Sequence, residues 1–146
     1  NINYFIGRSY SDHYIKYKNP PASKDIIFND LNIDWDSDII LVEGVFDAMK
    51  SENAIPVLGS TMKEGSKLFQ KICMNSPTVY IAFDKDAKDK EMLLANKLLE
   101  HDINVKLINM GCYNDVAEMT KEEFLDKKLK AEFVSNMYYL KYKLNF

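Results

Sequence analysis

Cysteine is scarce in this chain, and it is unpatterned. There are two, Cys73 and Cys112, with no Cys-x-x-Cys pair and no histidine close by. A structural zinc site needs a closely spaced set of thiolate and imidazole ligands, so no zinc is expected in this segment. The two read as reduced, intracellular thiols. His13 and His101 stand alone and read as surface residues. No apolar run approaches the roughly 18–20 residues that cross a bilayer. No secretory leader pattern opens the chain. A membrane partner is therefore not expected, and the expected location is the cytoplasm. A chain that opens on Asn1 rather than methionine is expected to be a piece of something longer.

Charge of a single sign is lacking too. The net charge is −3, spread as +2 over residues 1–25, −6 over 26–60 and +1 over 61–146. Overall charge alone does not mark a nucleic-acid binder. A local basic strip beside an acidic, metal-filled site could still meet a polyanion. With 146 residues and 47% hydrophobic content, the chain suits about one domain with an ordinary core.

What the sequence does have is two short apolar runs that end in carboxylates. One is Ile39-Ile40-Leu41-Val42-Glu43-Gly44, continuing to Asp47. The other is Val79-Tyr80-Ile81-Ala82-Phe83-Asp84-Lys85-Asp86. Each reads as a buried parallel strand that feeds a helix. In an open α/β sheet the carboxyl ends of neighbouring strands share one crevice. Carboxylates converging there repel one another unless a cation holds them. Hard oxygen donors suit Mg²⁺ or Mn²⁺, and such a site suits phosphoryl chemistry.

The pattern around these runs alternates. Strands are expected at 39–42, 55–58, 78–83 and 105–108. Helices are expected at 45–52, 66–74 and 87–101, and after the capping-box pattern Thr120-Lys121-Glu122-Glu123. This βαβα order implies an α/β fold with a mostly parallel four-stranded, Rossmann-like sheet and helices on both faces. Before it, Tyr4 to Tyr10 and Ile26-Ile27-Phe28 read as short strands, Asn19-Pro20-Pro21 as a break, Asn29 to Ser37 as an Asp-rich connector. Gly59-Ser60-Thr61 reads as a turn, and Met137 to Phe146 as a helix or a linker-proximal segment.

A lone Asp after a strand is more often a helix cap than a ligand. Here Asp84 and Asp86 stand at i and i+2, which an extended backbone points to one side. Glu43 ends another strand in the same way, and Gly44 allows a close turn behind it. Asp47 could approach the same metal or complement a helix dipole. Asp115 and Glu118 follow the fourth strand and are equally compatible with a solvated loop. Lys88 and Lys90 could meet phosphate, although lysines there are commonly just solvated.

Val42-Glu43-Gly44 with Asp47, then Leu58-Gly59-Ser60-Thr61, then Phe83-Asp84-Lys85-Asp86 resemble the Toprim domain of primases, topoisomerases and some nucleases. Upstream, Phe5-Ile6-Gly7-Arg8, Lys16 to Pro21 and Ile27-Phe28-Asn29 resemble the stretch that precedes Toprim in bacterial-type DNA primases, particularly phage versions. The resemblance covers residues 4 to about 126. It implies a remnant of the preceding primase subdomain at 1–37, Toprim at 38–126 and an extension or linker at 127–146. It makes Glu43, Asp84 and Asp86 the catalytic metal-binding acids, with Asp47 and Asp115 as further acids around two or more ions. It makes Arg8, Lys16 and Lys18 the basic positions facing template or nucleotide phosphates. It implies primer synthesis from ribonucleoside triphosphates on single-stranded DNA, alongside a replicative helicase met through regions outside this chain. Lys85 replaces the family's usual glycine between the aspartates, and Asn114-Asp115-Val116 departs from its usual acidic loop. The primases' Cys-rich zinc module is not in the chain. A Toprim nuclease would use the same acids. A haloacid-dehalogenase-type phosphatase would leave Glu43 without a role, and a receiver domain would have its acidic pair after the first strand instead.

Overall fold

The computed structural model describes residues 5, 7–10, 17, 18, 21, 23, 25–59 and 62–144. Asn1, Tyr4, Ile6, His13, Lys16, Asn19, Pro20, Ser60, Thr61 and Phe146, named above, lie outside the described residues. The first elements are a two-stranded antiparallel ribbon, β1 (Gly7–Arg8) and β2 (Tyr17–Lys18), with Gly7 opposite Lys18. Ile26-Ile27-Phe28 is not a strand. Ile27 packs against the core instead, and the chain then turns through Asn29 in the left-handed region.

The main sheet contains β3 (Ile39–Val42), β4 (Ala54–Pro56), β5 (Val79–Ala82), β6 (Val105–Leu107) and β7 (Glu132–Phe133). Their order is β4-β3-β5-β6-β7. The first four are mutually parallel, as the alternation implies, and β7 joins β6 antiparallel. Among the described residues the sheet thus has five strands rather than four. The fifth has no apolar signature, because both of its residues are exposed. Lys106 secures this edge by lying over the Phe133 ring at 4.4 Å and the Tyr80 ring at 5.2 Å.

β3 and β5 are buried along their whole length, which is why they read as unbroken apolar runs rather than alternating ones. Their alternate residues serve two cores. Ile39, Leu41 and Ile81 meet α2 (Lys67–Asn75) and α3 (Lys88–Leu99) through Phe69, Ile72, Leu94 and Leu98. Ile40, Val42, Tyr80 and Ala82 meet Val116, Met119 and Phe124, the last from α4 (Lys121–Leu129). Helices therefore cover both faces. The Thr120–Glu123 capping box that opens α4 forms as its sequence implies. The last element is α5 (Asn136–Lys143). No helix among the described residues is long and apolar enough to cross a membrane.

The helix after β3, α1, is short: it spans Val45–Ala48 instead of running to residue 52. The chain must re-enter the sheet at β4, and Asn53 makes the turn with φ +58°. Its side-chain amide donates to the carbonyls of Asp34 and Asp38 at 2.8 Å each, and its Oδ1 accepts from the Asp34 amide at 2.8 Å. One side chain thus pins the Asp-rich connector to the start of the sheet. Asn53→Ala loses these bonds and puts a Cβ in the left-handed region, for about 3 kcal/mol of stability in urea denaturation. Asn53→Gly recovers only the backbone share, about 1 kcal/mol.

Candidate metal centre

The order β4-β3-β5 creates a crevice. From β3 the chain moves outward to β4, then returns to the other flank of β3 as β5. Successive connections leave in opposite directions, so the carboxyl ends of β3 and β5 flank the switch point where ligands of open α/β sheets bind. Val42 is in register with Ala82. Glu43, one residue past β3, therefore stands beside the Phe83-Asp84 step past β5.

Glu43, Asp84 and Asp86 each place a carboxylate oxygen within 4.8 Å of the other two. The convergence arises differently from the extended i, i+2 arrangement read in the sequence. Asp84 is extended, but Lys85–Ala87 form a 3-10 turn closed by the Ala87 amide on the Asp84 carbonyl at 2.9 Å. The two aspartates occupy the cap and first turn of a helical segment, whose carboxylates gather at its N-terminal end. The Asp84 amide donates to Glu43 Oε2 at 3.3 Å, which ties the two strand ends together.

Two more acids stand close behind. Asp47 on α1 is 9% exposed and accepts from the Gly44 amide at 2.9 Å. A Cβ on Gly44 would lie 2.8 Å from Asp47 Oδ2, so this glycine makes room for the carboxylate. Asp115 caps the 3-10 turn Val116–Glu118 and accepts from the Glu118 amide at 2.9 Å. Glu118 turns back to accept from Asn114 and serves the loop rather than the crevice. The Asn114 carbonyl in turn accepts from the Lys85 amide at 2.9 Å, so the loop after β6 is fastened to the aspartate turn.

The electrostatics register this crowding. Burial, then the charges of Glu43, Asp47, Asp115 and Asp86 in that order, push Asp84 from its ordinary 3.8 up to about 7. Burial also raises Asp47, with Asp115 and Glu43 adding to the effect. Asp84 Oδ1 is buried and accepts no hydrogen bond from the described residues. A buried acceptor left unmet is costly, and a cation is the partner that three converging carboxylates suit. The donor set and the orphaned oxygen both fit a divalent ion held by Glu43, Asp84 and Asp86.

Cations lie around the cluster. Lys90 Nζ is 3.7 Å from Glu43 Oε1. The Arg8 guanidinium lies 5.4 Å from the centroid of Phe46, the residue before Asp47, which brings the ribbon to this rim of the sheet. Lys18 is exposed on the same ribbon. Glu91, one turn into α3, did not stand out in the sequence as more than a surface charge. It is 3% exposed and pairs with Lys88. Its place at i+3 from a lysine was the one available signal.

No family model and no curated protein matches the sequence. Solved structures do match the fold. One is the Aquifex aeolicus primase, in a structure of its zinc-binding and RNA polymerase domains, with TM-score 0.71 and 21% identity over 91% of this chain. Another is the DnaG catalytic core, with TM-score 0.73 and 16% identity over 97% of this chain. The chain spans 38% and 52% of the lengths of these two structures. The five-stranded sheet with both faces covered is thus a fold shared with part of the primase catalytic core.

Proposed function

We propose that this chain is the metal-binding part of a DNA primase catalytic core, Toprim in type. On this reading the whole protein makes short RNA primers on single-stranded DNA. The observation that carries the reading is the convergence of Glu43, Asp84 and Asp86 at the switch point, with an orphaned oxygen on Asp84. The fold shared with primase cores supports it. Two or more Mg²⁺ or Mn²⁺ ions would supply charge neutralisation and a more acidic attacking hydroxyl. Glu43, Asp84 and Asp86 would hold those ions, with Asp47 and Asp115 completing the acidic wall. The 3′ oxygen bonds to the α-phosphorus, the α–β phosphoanhydride breaks, pyrophosphate departs and the hydroxyl proton passes to water. Positioning and electrostatics dominate such a transfer. Arg8, Lys16 and Lys18 make salt-sensitive contacts to template phosphates. A cytoplasmic location and a helicase partner reached through other regions belong to the same reading.

The test uses the full-length protein with single-stranded DNA, labelled ribonucleoside triphosphates and Mn²⁺. Short RNA products are expected, and none from the Asp84→Ala variant. Nicking of DNA without nucleotides would reassign the same acids to a nuclease. Hydrolysis of a generic phosphate ester alone would favour a phosphatase, in which Glu43 has no task. The isolated chain is expected to be a poor primase.

A further inference from the structure

A cavity of about 740 Å³ opens on the flank of Asp84 away from β3, floored by Leu107, Ile108 and Val134. Its size is that of a small-molecule site. Lys85 and Lys88 line it together with Asp84 and Glu91. Lys127 and Lys130, on the opposite wall, are engaged by the Asn109 carbonyl and by Asp126.

Lys88 is in an unfavourable place by local rules. It is the first residue of α3, where the helix dipole disfavours a cation. It is held there by Glu91, whose carboxylate is almost wholly buried and also takes a backbone hydrogen bond from Phe83, just past β5. Burying a carboxylate to fix a lysine at the wrong end of a helix costs stability twice. Such a cost is tolerated where the ammonium has a task, because a fixed cation loses little freedom when it meets an anion. Lys85, next to Asp84, makes no side-chain bond or ion pair with the described residues and adds a second positive group at the same mouth.

We propose that this cavity receives the phosphate tail of a nucleoside triphosphate, with Lys88 as its anchor and Glu91 as the residue that positions Lys88. This rests on the metal-dependent nucleotidyl-transfer reading, and it adds a recognition element separate from the metal ligands. Lys88 then binds the β- and γ-phosphates, and Glu91 acts on the nucleotide through it.

The experiment measures Mn²⁺ affinity by electron paramagnetic resonance and the affinities of ATP and AMP in Mn²⁺ by calorimetry. Lys88→Ala is expected to weaken ATP about tenfold, the worth of one charge-assisted contact, while AMP and Mn²⁺ are unaffected. Lys88→Arg restores most of the loss. Glu91→Gln reproduces the Lys88→Ala pattern, which a merely structural role would not do, because general loosening would weaken AMP and Mn²⁺ as well. Lys88 is partly exposed on a helix surface, so its variants report even if Glu91→Gln folds poorly. Unchanged ATP affinity in Lys88→Ala with Mn²⁺ binding intact overturns this inference alone. Absence of Mn²⁺ binding in the unmodified chain overturns the metal reading, and this inference with it.

Discussion

Asp84→Ala lowers Mn²⁺ affinity by more than about 100-fold, beyond the usual effect of losing an outer-shell partner. Asp84 is the centre of the cluster by every measure. Its carboxylate feels Glu43, Asp47, Asp115 and Asp86, whereas Asp47 feels Asp115 and Glu43. Its Oδ1 is buried and accepts no bond from the described residues, so a bound ion there displaces little water. Glu43→Gln is expected to follow closely, because Glu43 Oε2 is tied to the Asp84 amide and its geometry is fixed by the β3–β5 register. Asp47→Asn and Asp115→Asn are expected to cost about tenfold, the range of residues that orient ligands. Titration of the purified chain with Mn²⁺ reads all four. Equal affinity in Asp84→Ala and the parent chain would remove the basis for a metal centre here.

The parts of this site that the sequence made legible are the parts set by burial. β3 and β5 lie in the middle of a parallel sheet, so both faces are apolar and the runs stand out. The acids stand out because they interrupt those runs. Local geometry was less legible. The Asp84-Lys85-Asp86 segment reads equally well as extended or helical over three residues, and the 3-10 turn is settled by the Ala87 and Lys85 amide bonds, the second reaching to Asn114. The fate of Ile26-Ile27-Phe28 was hidden for a similar reason. Two β-branched residues and an aromatic suit a strand, but here Ile27 is used as a plug against the core before the Asn29 turn. β7 was hidden because a two-residue edge strand needs no pattern of its own: β6 supplies the template and Lys106 the staple. Glu91 was hidden because charge on a helix normally means solvent, and only the depth of α3 against the sheet makes this one a buried group.

Without metal, the chain is expected to lose stability as pH rises from about 4 to about 7, and divalent ions should reverse the trend. The folded state raises Asp84 from 3.8 to about 7, so between those values it holds a proton that the unfolded state has released. Stability then falls with rising pH, because the native state binds more protons than the unfolded one. Relative to alkaline solution, this favourable contribution is complete below 3.8 and is lost as pH passes through 7. Asp47 and Glu91, both raised mainly by burial, act in the same direction. Asp84→Asn removes the charge but keeps the shape. In EDTA at pH 8 it should melt above the parent chain. Solvent screening trims the gain, and each 1 kcal/mol recovered is worth about 3 °C in a chain of this size. In Mn²⁺ the order should invert. Ligand at about 100 times Kd stabilises the parent by about 2.7 kcal/mol, and the variant forgoes most of that. Thermal melts in both buffers at pH 5 and pH 8 check the claim. A variant that melts below the parent in EDTA as well would mean that Asp84 holds the fold together through contacts rather than straining it through charge, and the acidic crevice would then be a structural feature instead of a site waiting for a cation.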